Sequence, residues 1–190
     1  MTNLIVATGN PGKLREMQAY LGDLPWELQL KPPEIEIEET GDTFAANARL
    51  KAVGVAQATG QWSIADDSGL QVDALDGAPG IYSARYGKTD AERIQRLLYE
   101  LGDTSNRGAQ FVCAIAIARP HGTIATEVEG VCRGEILKAP LGTGGFGYDP
   151  IFYLPEQELT FAQMSRKLKQ CYSHRGKALE LLLSQFNQLL

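Results

Sequence analysis

Two aspartates stand side by side in Ile64-Ala65-Asp66-Asp67-Ser68-Gly69-Leu70. The apolar run Ser63-Ile64-Ala65 leads into them, so the pair is expected at the end of a short strand, where carboxylates are costly to bury without a purpose. Neighbouring side chains of a strand point to opposite faces, so one aspartate can work while the other is structural. A carboxylate so placed can ligate a hard divalent cation, orient a water, or take its proton. A second acidic pair, Glu38-Glu39, closes the alternating segment Glu34-Ile35-Glu36-Ile37-Glu38 just before Thr40-Gly41. Such oxygen donors suit magnesium or calcium, although a solvated acidic turn is the plainer reading of that pair alone.

Three further segments carry groups suited to an anionic, flat ligand. In Thr8-Gly9-Asn10-Pro11-Gly12-Lys13, a loop between a strand and a helix offers backbone N–H groups, the positive end of a helix dipole and a lysine. Its spacing is not that of a P-loop. The stretch Gly142-Thr143-Gly144-Gly145-Phe146-Gly147-Tyr148-Asp149-Pro150 places four glycines and two aromatics around one aspartate. Phe146 or Tyr148 could stack on a planar ligand, with Asp149 or a backbone amide reading its edge. Lys169 and the run Ser173-His174-Arg175 sit where a last helix is expected to begin. Cations at a helix N-terminus oppose the dipole, which makes sense if an anion sits there. His174 is either a hydrogen-bond donor to a ligand carbonyl or an ordinary satisfied histidine.

The elements that must hold these groups follow from the apolar pattern. Leu4-Ile5-Val6-Ala7 reads as a buried strand, and Leu14, Met17 and Leu21 after it fall at helical spacing. Asp42 or Thr43 can cap a second helix running to about Thr59, with Asn47 and Lys51 on one face. Asp90 starts a third helix with Ile94, Leu97, Leu98 and Leu101 inward. Two strand-like runs, 109–118 and 123–136, flank the turn Arg119-Pro120-His121-Gly122 and suggest an antiparallel hairpin. A last helix from about Ser173 carries Ala178, Leu181, Leu182, Phe186 and Leu189. The pattern is a single α/β domain over residues 1–190 with a mixed sheet.

With 190 residues and 44% hydrophobic content the chain can bury one good core. A formal net charge of −5 disfavours a nucleic-acid-binding role, because such surfaces are basic. The three cysteines, Cys113, Cys132 and Cys171, are odd in number and form no CxxC pair, which argues against a disulfide framework or a zinc ribbon. Cys113 lies in an apolar run and reads as a small buried hydrophobe. No apolar stretch approaches the ~20 residues that span a bilayer. The first residues also lack a secretory pattern, so a reducing cytoplasm is expected.

Taken in order, Thr8-Gly9-Asn10…Lys13, Glu38-Glu39-Thr40-Gly41, Asp66-Asp67-Ser68-Gly69-Leu70, the run from Gly77 to Tyr86, Gly144-Gly145-Phe146-Gly147-Tyr148-Asp149-Pro150 and Ser173-His174-Arg175 resemble the inosine-triphosphatase family over nearly the whole chain. Within that family they are most similar to bacterial enzymes acting on dITP and XTP.

The resemblance implies an α/β fold with an elongated mixed sheet flanked by helices, two lobes and a central cleft. It implies a homodimer that hydrolyses non-canonical purine nucleoside triphosphates to monophosphate and pyrophosphate with Mg²⁺. Glu38 and Asp67 then match metal ligands, and Asp67 the general base. Thr8, Gly9, Asn10, Pro11, Gly12 and Lys13 match a triphosphate-binding loop, with Lys51 as an added cation. Ser68, Phe146, Gly147, Tyr148, Asp149, Lys169, His174 and Arg175 match substrate contacts. Two departures are visible: Ala45-Ala46 stand where a glutamate is common, and Arg166-Lys167-Leu168-Lys169 is more basic than usual. Competing readings are a pyrophosphatase for other modified nucleotides, a non-catalytic nucleotide-binding regulator, and a nucleic-acid-binding module.

Overall fold

The computed structural model describes residues 2–22 and 24–185. Phe186 and Leu189, expected on the last helix, lie outside the described residues. Seven strands and five α-helices are described, and the strands follow the hydrogen-bonded order β2-β1-β3-β4-β5-β6-β7. Strand β1 (Thr2–Val6) is the expected first strand, and it pairs in parallel with β2 (Trp26–Leu30) and β3 (Trp62–Val72). Strands β4 (Gly108–Ala118) and β5 (Ile124–Ile136) are neighbours joined by the expected turn. Arg119 N–H donates to the Thr123 carbonyl at 2.8 Å, and Gly122 takes a positive φ of 89°. A link this short between paired strands requires them to be antiparallel. The short strands β6 (Phe152–Leu154) and β7 (Leu159–Thr160) add two more antiparallel pairs, β5·β6 and β6·β7. The sheet is therefore mixed, as expected.

Helix α1 (Pro11–Leu21) starts on Asn10, whose side chain accepts from the backbone of Gly12 and Lys13. Helix α2 (Phe44–Thr59) is capped by Thr43 and stopped by Gly60 in the left-handed region. Helix α3 (Asp90–Leu101) is capped by Thr89. The end of the chain departs from expectation: a short helix α4 (Arg166–Tyr172) precedes α5 (His174–Gln185), and Ser173, with extended backbone, separates them.

Two features add to the sequence reading and one expectation is corrected. Strand β2 was not foreseen, although Trp26, Leu28 and Leu30 alternate as a strand requires. The segment 34–38 is irregular and pairs with no described strand; Ile35 and Ile37 are half-buried. The aspartate pair lies inside an eleven-residue strand, not at its end, because Leu70 and Val72 continue the buried pattern beyond Gly69.

Contacts divide the chain into two compact units. One comprises residues 1–67, 113–130 and 175–190, the other 68–112 and 131–174. The first has its own core, in which Leu4, Val6, Met17, Leu21, Ile64, Ile115, Ile117, Ala178, Leu179 and Leu182 pack together. The second is centred on Leu70, Leu97, Phe111, Ile136, Ile151, Phe152 and Phe161. The three rings Phe111, Phe152 and Phe161 pack on one another with centroids 4.6–5.8 Å apart. No helix among the described residues is long and apolar enough to cross a membrane.

Candidate active site

In the first unit, β3 sends Asp66 and Asp67 to opposite faces, and each face supplies different partners. Asp66 is fully buried and meets two cations through one oxygen: Lys13 Nζ of α1 at 2.9 Å and Arg175 Nη2 of α5 at 3.1 Å. Arg175 also donates to Glu16 at 2.5 Å. Burial pushes the Asp66 carboxyl up, but Lys13 and Arg175 pull harder, and it ends well below the usual carboxylate range. The Cys113 thiol lies 4.0 Å from Asp66, and burial pushes that thiol up to about 12. Such a thiol stays protonated and unreactive.

Asp67 faces α2. Its Oδ1 pairs with Lys51 Nζ at 3.1 Å, and its Oδ2 accepts from Asn47 Nδ2 at 3.3 Å. Burial dominates here and raises the carboxyl, against the pull of Lys51 and Lys13. The two neighbours therefore diverge: Asp66 is a locked anion, and Asp67 is a carboxylate made more basic, which suits a proton acceptor. Asn47 is almost fully buried, and its carbonyl oxygen accepts from Gly41 N–H at 2.8 Å. One side chain thus ties the acidic turn to Asp67. A Cβ on Gly41 would stand 2.7 Å from that same oxygen, so this turn needs glycine for close approach.

Lys51 also pairs with Glu39 Oε1 at 2.8 Å. A single ammonium thus bridges the acidic turn and Asp67, so oxygen donors from both converge on one cation. Glu38, the acid expected as a metal ligand, is exposed, and it is Glu39 that reaches Lys51. Among the described residues no group of three or more His, Cys, Asp or Glu side chains is arranged to hold a metal. Magnesium does not require one, because it commonly keeps several waters and takes one or two carboxylates plus substrate phosphates. The donor set at Asp67 and the acidic turn fits that pattern.

The first glycine loop is more self-contained than expected. Asn10 Oδ1 accepts from Gly12 N–H at 2.8 Å and Lys13 N–H at 3.4 Å, and Asn10 N–H donates to Thr8 Oγ1 at 3.1 Å. The loop caps its own helix, with Gly9, Asn10 and Pro11 exposed. Arg175, read from the sequence as answering a bound anion, answers Asp66 and Glu16 instead. Glu16 was missed, although it stands three residues after Lys13 and so on the same face of α1.

In the second unit, Phe146, Asp149 and Lys169 come together. Lys169 of α4 is buried, pairs with Asp149 Oδ2 at 2.7 Å and lies 4.6 Å above the Phe146 ring. Asp149 also accepts the Phe146 N–H at 2.9 Å. Gly145 has φ +73°, and a Cβ there would lie 1.9 Å from Asp149. His174 is buried with its ring stacked on Phe111, centroids 4.6 Å apart. Tyr148 corrects an expectation: it is buried and its hydroxyl donates to the Ser83 carbonyl at 2.8 Å, so it braces the loop and offers no stacking face. Ser68, half-buried in β3, belongs to this unit.

The model of the Ham1 family matches residues 4–185 of this chain. The dITP/XTP pyrophosphatase of Nostoc sp. is 70% identical, over 98% of this chain and 95% of its own length. A HAM1 protein of Coxiella burnetii superposes with a TM-score of 0.89 at 44% identity, covering 99% of this chain and all of that one. The Staphylococcus aureus Ham1 protein gives 0.89 at 41% identity, covering 98% of each chain.

Proposed function

This chain belongs to the Ham1 family, and we propose on that footing that it hydrolyses non-canonical purine nucleoside triphosphates, those of inosine and xanthosine, to the monophosphate and pyrophosphate. The observation that carries the reading is the divergence of the adjacent aspartates. Asp66 is neutralised by Lys13 and Arg175, while Asp67 is raised and shares Lys51 with the acidic turn.

In the proposed reaction, water attacks the α-phosphorus and pyrophosphate leaves. Asp67 orients that water and takes its proton. Lys13 and Lys51 supply positive charge along the phosphate chain, since phosphoryl transfer depends chiefly on positioning and charge neutralisation. Mg²⁺, held by Asp67 with Glu38 or Glu39, would neutralise the phosphate oxygens when bound. In the second unit, Phe146 supplies a stacking ring and the Lys169 ammonium beside it a donor suited to a 6-oxo group, with His174 as a second donor. Adenine carries an amine there and leaves such donors unmatched, a mismatch that can discriminate by orders of magnitude. Homodimeric assembly and a cytoplasmic location belong to the same proposal and rest on the family likeness. Sedimentation at micromolar concentration tests the first.

The function is tested by pyrophosphate release across ITP, dITP, XTP, GTP and ATP, with and without Mg²⁺. Magnesium-dependent release favouring the 6-oxo, non-canonical substrates is expected. Preference for ATP, or undiminished turnover in chelator, would overturn it.

A further inference from the structure

Helix α3 does not need the carboxylate of its first residue for its own cap. Thr89 Oγ1 already accepts the Glu92 N–H at 3.2 Å, and Glu92 reaches back to the Lys88 N–H at 2.7 Å. Asp90 is therefore available for other partners. Its Oδ1 pairs with Arg93 Nη1 at 2.6 Å, and its Oδ2 accepts the Gly147 N–H at 2.7 Å. The second bond joins residues 57 apart in sequence.

The acceptor matters because of what it holds. Gly145 and Gly147 both have positive φ, 73° and 62°, conformations that cost glycine chain entropy and give no side chain to pack. Facing α3, the loop borders a hollow of about 560 Å³ lined by Ile94, Leu98, Thr143, Gly144, Phe146 and Pro150. Tight apolar packing does not fix the loop on that side. Two carboxylates bind consecutive loop amides instead: Asp149 takes Phe146 N–H and Asp90 takes Gly147 N–H. Asp149 belongs to the ring-and-lysine group already described, whereas Asp90 approaches from a different element.

We propose that Asp90 is a positioning residue for base recognition, setting the height and tilt of Phe146 by anchoring the next peptide to α3. The proposal rests on the reading of this loop as the nucleobase subsite. Asp90 touches no substrate, so its loss changes substrate affinity and base preference and leaves the chemical step alone.

The test compares wild type, Asp90→Ala and Asp90→Asn on ITP and ATP, reading KM and kcat separately, with thermal unfolding in parallel. Asparagine keeps a neutral oxygen acceptor for Gly147 but loses the charge that holds Arg93. Losing a charge-assisted hydrogen bond is expected to raise KM for ITP about ten-fold in Asp90→Ala, with kcat little changed and the ITP/ATP preference narrowed. Asp90→Asn should recover most of that affinity. Unchanged KM in Asp90→Ala, or a fall in thermal stability alone, overturns the proposal. So does an Asp90→Asn variant no better than Asp90→Ala, which would assign the effect to charge on α3. Wild-type protein that leaves ITP intact removes the functional reading, and the proposal with it; wild-type turnover with unchanged variants removes the proposal alone.

Discussion

Asp66 and Asp67 share a peptide bond but bond to different partners. Asp66 has no exposed side-chain surface and two cations on it. Asp66→Asn would leave Lys13 and Arg175 facing a neutral group, and removing one partner of a buried ion pair typically costs about 3–5 kcal/mol. Thermal or denaturant unfolding should show that loss. The sign of its pH dependence follows from the lowered carboxyl. Asp66 stays ionised in the folded chain, while the unfolded chain takes up its proton near about pH 3.9. Its stabilisation is therefore complete above that value and is lost as the pH falls below it. Wild type should lose stability on acidification from about pH 4 to about pH 2 more steeply than Asp66→Asn. Equal slopes would contradict the assignment. Asp67→Asn is the complementary variant: turnover should disappear while calorimetry still detects nucleotide. Unchanged turnover would remove Asp67 from the proposed chemistry.

At the scale of elements, α2 positions one side of the site and an irregular segment the other. Ile37 lies against Gly54 of α2, where a Cβ would stand 2.4 Å from its Cδ1, and four residues later Gly41 docks on Asn47. Gly41→Ala should push the acidic turn off α2. A displacement near 1 Å at a catalytic group can cost about a hundred-fold in rate, so kcat/KM should fall at least ten-fold with the melting temperature little changed. Retained activity would show that the turn tolerates movement. Much of this was readable in the chain. Helical spacing placed Asn47 and Lys51 on one face, and alternation across β3 separated the two aspartates. The rest depended on pairings distant in sequence. Arg175 finds Glu16 and Asp66 across 159 and 109 residues, and a lone arginine at a helix start cannot declare whether its anion is a ligand or the protein itself. Tyr148 looked like a stacking residue because its ring is visible in sequence and its hydroxyl bond to Ser83 is not. Helix α4 was missed because Arg166–Tyr172 is a short, largely polar stretch with no sustained apolar face to mark a helix.

At the scale of the whole molecule, the formal charge of −5 disfavours a nucleic-acid partner. Lys13 and Lys51 are each held by the protein's own carboxylates, Lys13 by Asp66 and Lys51 by Glu39 and Asp67, and so form no extended basic surface. Filter binding of oligonucleotides at low salt should therefore show no salt-sensitive retention; retention would favour a nucleic-acid partner. The family match spans residues 4–185, and the 0.89 superpositions cover 98–99% of the chain, so the likeness extends over nearly its whole length. The central claim is chemical: water attacks the α-phosphorus beside Asp67. Hydrolysis of ITP in heavy-oxygen water, followed by phosphorus NMR of the products, tests it most directly. The label should appear in the inosine monophosphate and not in the pyrophosphate. Label in the pyrophosphate, or release of single phosphates, would contradict the account.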